Sequence, residues 1–311
     1  MLRASTLVSV IVAAVAAGPA RAADEPLANG SFTADLHGRK VHYEVHGQGP
    51  VLMTLTNSWG LTGEGLRGLY RPLEEKLTLV YFDPRGMGTS GPAATDADRG
   101  MAAVREDFRA LQKHLKVEKA NVIGWSNGAM NLLLLATETP DALASAIFVH
   151  GIASFGKEDM VAFAGRYPDV TKRLSEFGKQ MADPKLTDAD RTAMQKKMWM
   201  GEYFPFLLKD ARLTGPRLQE AFATQPFSHP HTRQTDVESG DFDVRPKLPR
   251  IKVPSLVIAG AADAAPPSKV KEIADGIPGA VFRNFANSGH FAPIEEPEAF
   301  RQAVYDFLKV R

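Results

Sequence analysis

The chain has 311 residues, 44% hydrophobic and 23% charged, enough apolar content for a large buried core and unlike a disordered protein. With 37 Lys and Arg against 36 Asp and Glu, the formal charge of +1 gives no footing for nucleic acid or an anionic membrane as partner. The absence of cysteine excludes disulfides, thiolate metal ligands and a cysteine nucleophile.

Residues 1–22 read as an export signal: Arg3 is basic, Leu7 to Ala17 is apolar but short for a bilayer span, and Ala20-Arg21-Ala22 gives a small-x-small cleavage pattern. Cleavage is expected before Ala23, leaving an exported protein, periplasmic or secreted, without stable membrane insertion. An uncleaved anchor is the rival reading. An exported chain without cysteine suits a bacterial periplasm or exterior better than a eukaryotic secretory route.

Beyond the signal, Phe32 to Leu36 and Lys40 to Val45 alternate in polarity around His37-Gly38 and predict a β-hairpin. Val51 to Thr56 and Leu79 to Phe82 are apolar enough for buried strands, with a helix expected over Leu66 to Lys76 between them. Val104, Phe108, Leu111 and Leu115 recur at helical spacing between Gly100 and Lys116. A strand at Asn121 to Ile123, a helix at Asn127 to Glu138 and a strand at Ala146 to Val149 follow. Strand and helix in alternation predict parallel strands with crossover helices, an α/β sheet covered on both faces. The rhythm breaks at Gly151. Residues 152–249 read as a mostly helical insertion, a candidate cap dividing a core of 23–151 and 250–311. It then resumes with a strand at Ser255 to Ala259, a helix near Lys269 to Asp275, a strand at Ala280 to Phe285 and a last helix from Pro297 to Lys309.

Gly124-Trp125-Ser126-Asn127-Gly128 is G-x-S-x-G between a predicted strand and a predicted helix, the context of a nucleophile elbow. A serine hydroxyl needs a base, and the base needs an acid to fix its tautomer. The elbow predicts the order Ser, acid, His. Asp263 follows the strand at Ser255 to Ala259, and His290, the last histidine in the chain, follows the strand at Ala280 to Phe285. All three loops open at the same sheet edge, so Ser126, Asp263 and His290 are the expected triad. The backbone N–H of Asn127 is one expected oxyanion donor. The second is assigned to the N–H of Ser58, with Asn57 or Trp59 taking the role on a one-residue shift.

These motifs resemble the α/β-hydrolase family, within the branch of proline iminopeptidases and related serine esterases. Asp83-Pro84-Arg85-Gly86-Met87-Gly88-Thr89-Ser90 matches that family's D-x-R-G-x-G-x-S turn, and Gly260 to Asp263 and Gly289-His290 match its acid and histidine loops. The resemblance covers about residues 38–151 and 250–308. It implies a mostly parallel eight-stranded sheet, a helical cap between strands six and seven, and no cofactor. Two positions depart from the family pattern: Thr56-Asn57-Ser58-Trp59-Gly60 replaces a His-Gly sequence, and Trp125 precedes the nucleophile while Asn127 follows it. Serine at the elbow sets the chain apart from epoxide hydrolases and haloalkane dehalogenases, whose nucleophile is aspartate.

The expected function is an exported serine hydrolase that cleaves a carboxylic ester or amide of a small molecule or short peptide. An aminopeptidase, an acyltransferase with the same triad, and a non-catalytic binding protein on this scaffold are the alternatives. Trp59, Trp125, Trp199 and Phe291 are the expected substrate-binding side chains. The cluster from Met194 to Phe206 lines a pocket or packs the cap, and Glu202 within it is a candidate for a substrate amine. No metal site is expected: His229-Pro230-His231 lacks a partnering acidic motif. Arg85 is read as fixing a turn, and His42 and His46 as members of an exposed hairpin.

Overall fold

The computed structural model describes residues 26–310; the expected signal segment lies outside them. The first hairpin pairs β1 (Gly30–Leu36) with β2 (Arg39–Gly47), antiparallel. His37 and Gly38 link them with φ of 56° and 76°, the positive values a tight two-residue hairpin turn requires. The other strands are β3 (Val51–Leu55), β4 (Thr78–Phe82), β5 (Ala120–Trp125), β6 (Leu143–Val149), β7 (Ser255–Gly260) and β8 (Val281–Phe285). They form one eight-stranded sheet in the order β1-β2-β4-β3-β5-β6-β7-β8. Only the β1–β2 and β2–β4 pairings are antiparallel.

Three helices lie between β3 and β6: α1 (Gly63–Tyr70), α2 (Gly100–His114) and α3 (Asn127–Glu138). The single helix expected over Leu66 to Lys76 instead ends at Tyr70 and tightens into a 3₁₀ turn over Arg71–Glu75. Pro72 accounts for this, since it has no N–H to donate and its ring crowds the preceding turn. Between β6 and β7 come α4 (Lys157–Arg166), α5 (Pro168–Met181), α6 (Asp188–Met198), α7 (Phe204–Phe206), α8 (Ala211–Phe222) and α9 (His229–Ser239). The chain closes with α10 (Pro267–Gly276), α11 (Ala292–Glu295) and α12 (Pro297–Leu308).

Successive strand residues point to opposite faces, and the cores follow that alternation. Met53, Val80, Phe148 and Val257 face one core, which includes Phe108 of α2, Leu133 of α3 and Ile273 of α10. Leu52, Leu79, Ile147 and Leu256 face the other, with Leu66 of α1 and Val304 of α12. Every residue of β4 and β7 is buried, as expected for strands covered on both sides, whereas edge strand β1 alternates. Leu218 and Phe222 of α8 belong to the second core, so the helical insertion shares the packing of the main sheet. Helices α4 and α5 bury no residue and stand at the periphery.

Candidate active site

The site forms where β5, β7 and β8 end. Ser126 sits between β5 and α3 with φ 54° and ψ −119°, a conformation that L-residues avoid and that turns the chain sharply from strand into helix. The flanking glycines permit it. A Cβ on Gly124 would lie 2.4 Å from the Gly128 carbonyl oxygen, and a Cβ on Gly128 would lie 2.4 Å from that of Leu55. The bend is pinned by the Ser126 N–H donating to the Val149 carbonyl at 2.8 Å.

Three distant residues meet there. Ser126 Oγ is 2.9 Å from His290 Nε2, and His290 Nδ1 is 2.8 Å from Asp263 Oδ2. Burial works against the charge on Asp263, but the attraction of His290 and hydrogen bonds from His150 and His290 outweigh it and hold the carboxyl below its usual range. The His290 loop is fixed from several sides. Its N–H donates to the Leu207 carbonyl at 2.8 Å, and the Glu295 carboxylate accepts from the N–H groups of Gly289 and Phe291. Burial raises the Glu295 pKa. Glycine is required at 260 and 289: a Cβ on the first would lie 1.9 Å from the Gly289 carbonyl oxygen, and one on the second 2.1 Å from that of Leu207.

His150 has no counterpart in the sequence reading. It directly follows β6, is fully buried, and places Nδ1 3.0 Å from the same Asp263 oxygen that His290 contacts. The Ala292 N–H donates to His150 Nε2 at 3.3 Å, which puts the ring proton on Nδ1 and leaves that nitrogen no lone pair for a metal. The one signal available was a histidine directly after the last residue of an apolar strand, on the edge where Ser126 and Asp263 lie.

The oxyanion loop corrects one expectation. The Ser58 N–H is already engaged: it donates to Asn127 Oδ1 at 2.8 Å, and the Ser58 hydroxyl donates to the same oxygen at 2.7 Å. Ser58 and Asn57 also have no accessible surface. The N–H groups of Asn127 and Trp59 have no hydrogen-bond partner among the described residues. Helix α9 holds this loop from above, with the Thr235 hydroxyl donating to Ser58 Oγ at 2.9 Å and the Thr232 hydroxyl to the Trp59 carbonyl at 3.0 Å.

The aromatic residues expected to touch substrate divide. Trp125 is 1% exposed and Phe291 is fully buried, so both are packing residues. They brace the histidine instead: Trp125 Nε1 donates to the His290 carbonyl at 2.8 Å, and its ring centroid lies 5.4 Å from the imidazole. Trp59 is nearly buried, stacked on Phe227 and edge-on to Trp199. Trp199 alone of the four keeps substantial accessible surface. Glu202 is exposed and paired with Arg173 at 3.2 Å.

Other polar residues have local partners. Arg85 is buried against Asp107, Asp98 and Glu106. Asp83 accepts from the N–H groups of Gly63 and Thr89 and lies 3.1 Å from His42 Nδ1. His231 donates from Nε2 to the Arg85 carbonyl and accepts the Ser228 hydroxyl at Nδ1, which ties α9 to the Asp83–Ser90 turn. Burial lowers the pKa of both His231 and His150. The unfolded chain therefore binds protons that the folded chain refuses once pH drops below about 6.5. Stability is expected to fall from there as pH decreases through the lowered folded values. Thermal melts at pH 7 and pH 5 check this, and His231→Gln, which cannot titrate, should show a smaller drop.

The comparisons with known proteins agree with this fold. A family model described as the alpha/beta hydrolase fold matches residues 57–297. A protein of Caulobacter sp. (strain K31), provisionally named carbamate hydrolase RutD, is 28% identical over 276 residues, which span 86% of this chain and 95% of that one. A pimeloyl-[acyl-carrier protein] methyl ester esterase of Photobacterium profundum is 27% identical over 86% of this chain and 98% of its own. A proline iminopeptidase of Levilactobacillus brevis is 25% identical over 74% and 78%. Among solved structures, an alpha/beta fold family hydrolase from Bacillus anthracis str. Sterne superposes with a TM-score of 0.74 at 23% identity, covering 90% of this chain and 99% of that one.

Proposed function

The chain belongs to the alpha/beta hydrolase fold family, and from that premise we propose that it is a serine hydrolase cleaving a carboxylic ester or amide through an acyl-enzyme on Ser126. The observation that carries the reading is the continuous contact from Ser126 Oγ through His290 to Asp263. Ser126 Oγ attacks the substrate carbonyl while its proton passes to His290 Nε2. Asp263 accepts the Nδ1–H of His290 and stabilises the imidazolium. The tetrahedral oxyanion is held by the N–H of Asn127, at the positive end of α3, and by the N–H of Trp59. Trp59 replaces Ser58 in that role because the Ser58 donor is occupied while the Trp59 N–H has no partner among the described residues. His290 returns the proton to the leaving alcohol or amine. It then takes a proton from water, which attacks the acyl carbon, and passes it to Ser126 Oγ as the acyl C–O bond breaks and the acid leaves.

Asn127 has a second task in this scheme, since its side chain fixes the donor loop through Ser58. Asn127→Ala leaves its backbone donor in place but frees that loop. The expected loss in kcat is roughly 10- to 100-fold, less than the 10²- to 10³-fold seen when an oxyanion donor is deleted outright. KM should change little, and steady-state kinetics on one ester check the split.

A second reading, an aminopeptidase, is supported by the iminopeptidase relative. The pairing of Glu202 with Arg173 argues against the amine handle expected for it. A panel of p-nitrophenyl esters of increasing chain length, run beside free and acetylated prolyl nitroanilides, separates the two. Hydrolysis of the esters without a free-amine requirement supports the esterase reading; turnover confined to the free-amine anilide overturns it. Added alcohols that divert product from acid to ester would mark an acyltransferase. Export is proposed on residues 1–22 alone. Recovery of a mature protein beginning at Ala23 from the periplasm or medium tests it.

A further inference from the structure

Ser126 and His150 directly follow the neighbouring parallel strands β5 and β6, and both hold a positive φ, 54° and 52°. A positive φ costs a non-glycine residue on the order of 1–3 kcal/mol, and full burial of an imidazole adds desolvation. A histidine kept there against both costs is bonded at both ring nitrogens and aimed at the acid of the triad.

Asp263 is held loosely without it. Among the described residues its Oδ1 accepts one backbone bond, from the Ala265 N–H at 3.1 Å, and its Oδ2 meets only His290 and His150. The two imidazoles approach that oxygen from different strands, with ring centroids 5.2 Å apart. We infer that His150 is a positioning residue for the triad: its neutral Nδ1–H fixes the Asp263 carboxylate and shares negative charge that would otherwise act on His290 alone. This rests on the reading of Ser126, His290 and Asp263 as catalytic.

Removing the His150 donor lets the carboxylate turn, which misdirects His290 and lowers kcat. It also concentrates the Asp263 charge on His290, which favours the imidazolium and moves the acid limb of kcat/KM to higher pH. Other ionisable groups face this cluster. Tyr203, in the turn after α6, has its phenol pushed up to about 12 by burial and then by the Asp263 charge. Glu295 of α11 is raised by burial and bonded to backbone N–H groups. Arg166 of α4 donates to the Ala264 carbonyl. Tyr203 therefore keeps one charge state between pH 5 and pH 9. Glu295 is unchanged in every variant below, so its contribution cancels in the comparison.

The experiment compares wild type, His150→Phe, His150→Asn and Ser126→Ala on one p-nitrophenyl ester from pH 5 to pH 9. Phenylalanine fills the space without a donor, and asparagine keeps an N–H near the Nδ1 position. His150→Phe is expected to lose roughly 10- to 100-fold in plateau kcat, the size of one charge-assisted hydrogen bond, with little change in KM. Its acid limb should rise by about half a unit to one unit. His150→Asn should recover most of both effects. Wild-type turnover and an unmoved acid limb in folded His150→Phe would overturn the inference, as would an asparagine variant no better than phenylalanine. If His150→Phe does not fold, the ¹⁵N ring spectrum of the wild type decides: a neutral Nδ1–H tautomer for His150 from pH 5 to 8 is expected, and a titrating ring or an Nε2–H tautomer contradicts it. An active Ser126→Ala would instead remove the catalytic reading itself, so the two failures are distinguishable.

Discussion

Asp263→Asn is expected to lower kcat by about 10⁴-fold, the cost of the same exchange in the Ser-His-Asp template. The physical reason is specific to the arrangement around Oδ2. Both His290 Nδ1 and His150 Nδ1 point at that one oxygen, so it must accept from two donors. An amide in the same position either keeps a neutral oxygen there, losing the charge that stabilises the imidazolium, or presents an NH₂ group to two N–H groups. In the second case His290 relieves the clash by moving its proton to Nε2, where it faces Ser126 and can no longer act as base. Asp263 also matters for folding. Its pKa is lowered in the folded chain, so its contribution to stability is present above the usual carboxylate range and is lost as pH falls through the lowered value. The asparagine variant lacks that contribution. Kinetics are therefore to be taken at pH 7 to 8 on protein shown to be folded by circular dichroism. A fall of less than about 10-fold in kcat would contradict the assigned role.

Ser126→Ala is expected to lower kcat by roughly 10⁴- to 10⁶-fold, as for removal of the nucleophile in a triad that acts as a unit. The substitution removes only Oγ. The turn should survive, because its N–H bond to Val149 and the close packing of Gly124 on Gly128 are backbone features. Since the elbow holds φ at 54°, an alanine there is no more strained than the serine it replaces. The loss should therefore fall on kcat, with the melting temperature nearly unchanged. Activity within 10-fold of wild type on a good ester would remove Ser126 from the mechanism.

The sheet was legible because strands buried on both faces leave continuous apolar runs, and Val51 to Leu55, Thr78 to Phe82 and Ser255 to Gly260 all carry one. The meeting of Ser126, Asp263 and His290 was legible for a related reason: each follows a parallel strand, and parallel strands deliver their carboxyl ends to one edge. The residues that escaped notice act through contacts no local pattern encodes. His150 looks like any histidine after a strand until β7 brings Asp263 beside it. The engagement of the Ser58 N–H is invisible to local pattern because its partner is the side chain of Asn127, 69 positions away. Thr232 and Thr235 carry no motif, yet they fix the loop after β3 from α9. Trp125 and Phe291 looked like pocket residues because aromatic rings next to a triad fit either a ligand or a brace. Only burial separates the two, and here it gives the brace.

The most direct test of the account is stoichiometric inactivation by a fluorophosphonate, followed by intact-mass measurement and peptide mapping. The prediction is one adduct per chain, located on Ser126, with activity lost in proportion to labelling and no adduct in Ser126→Ala. Full activity after exhaustive treatment with no mass gain, or an inactivating adduct on any other residue, would contradict it.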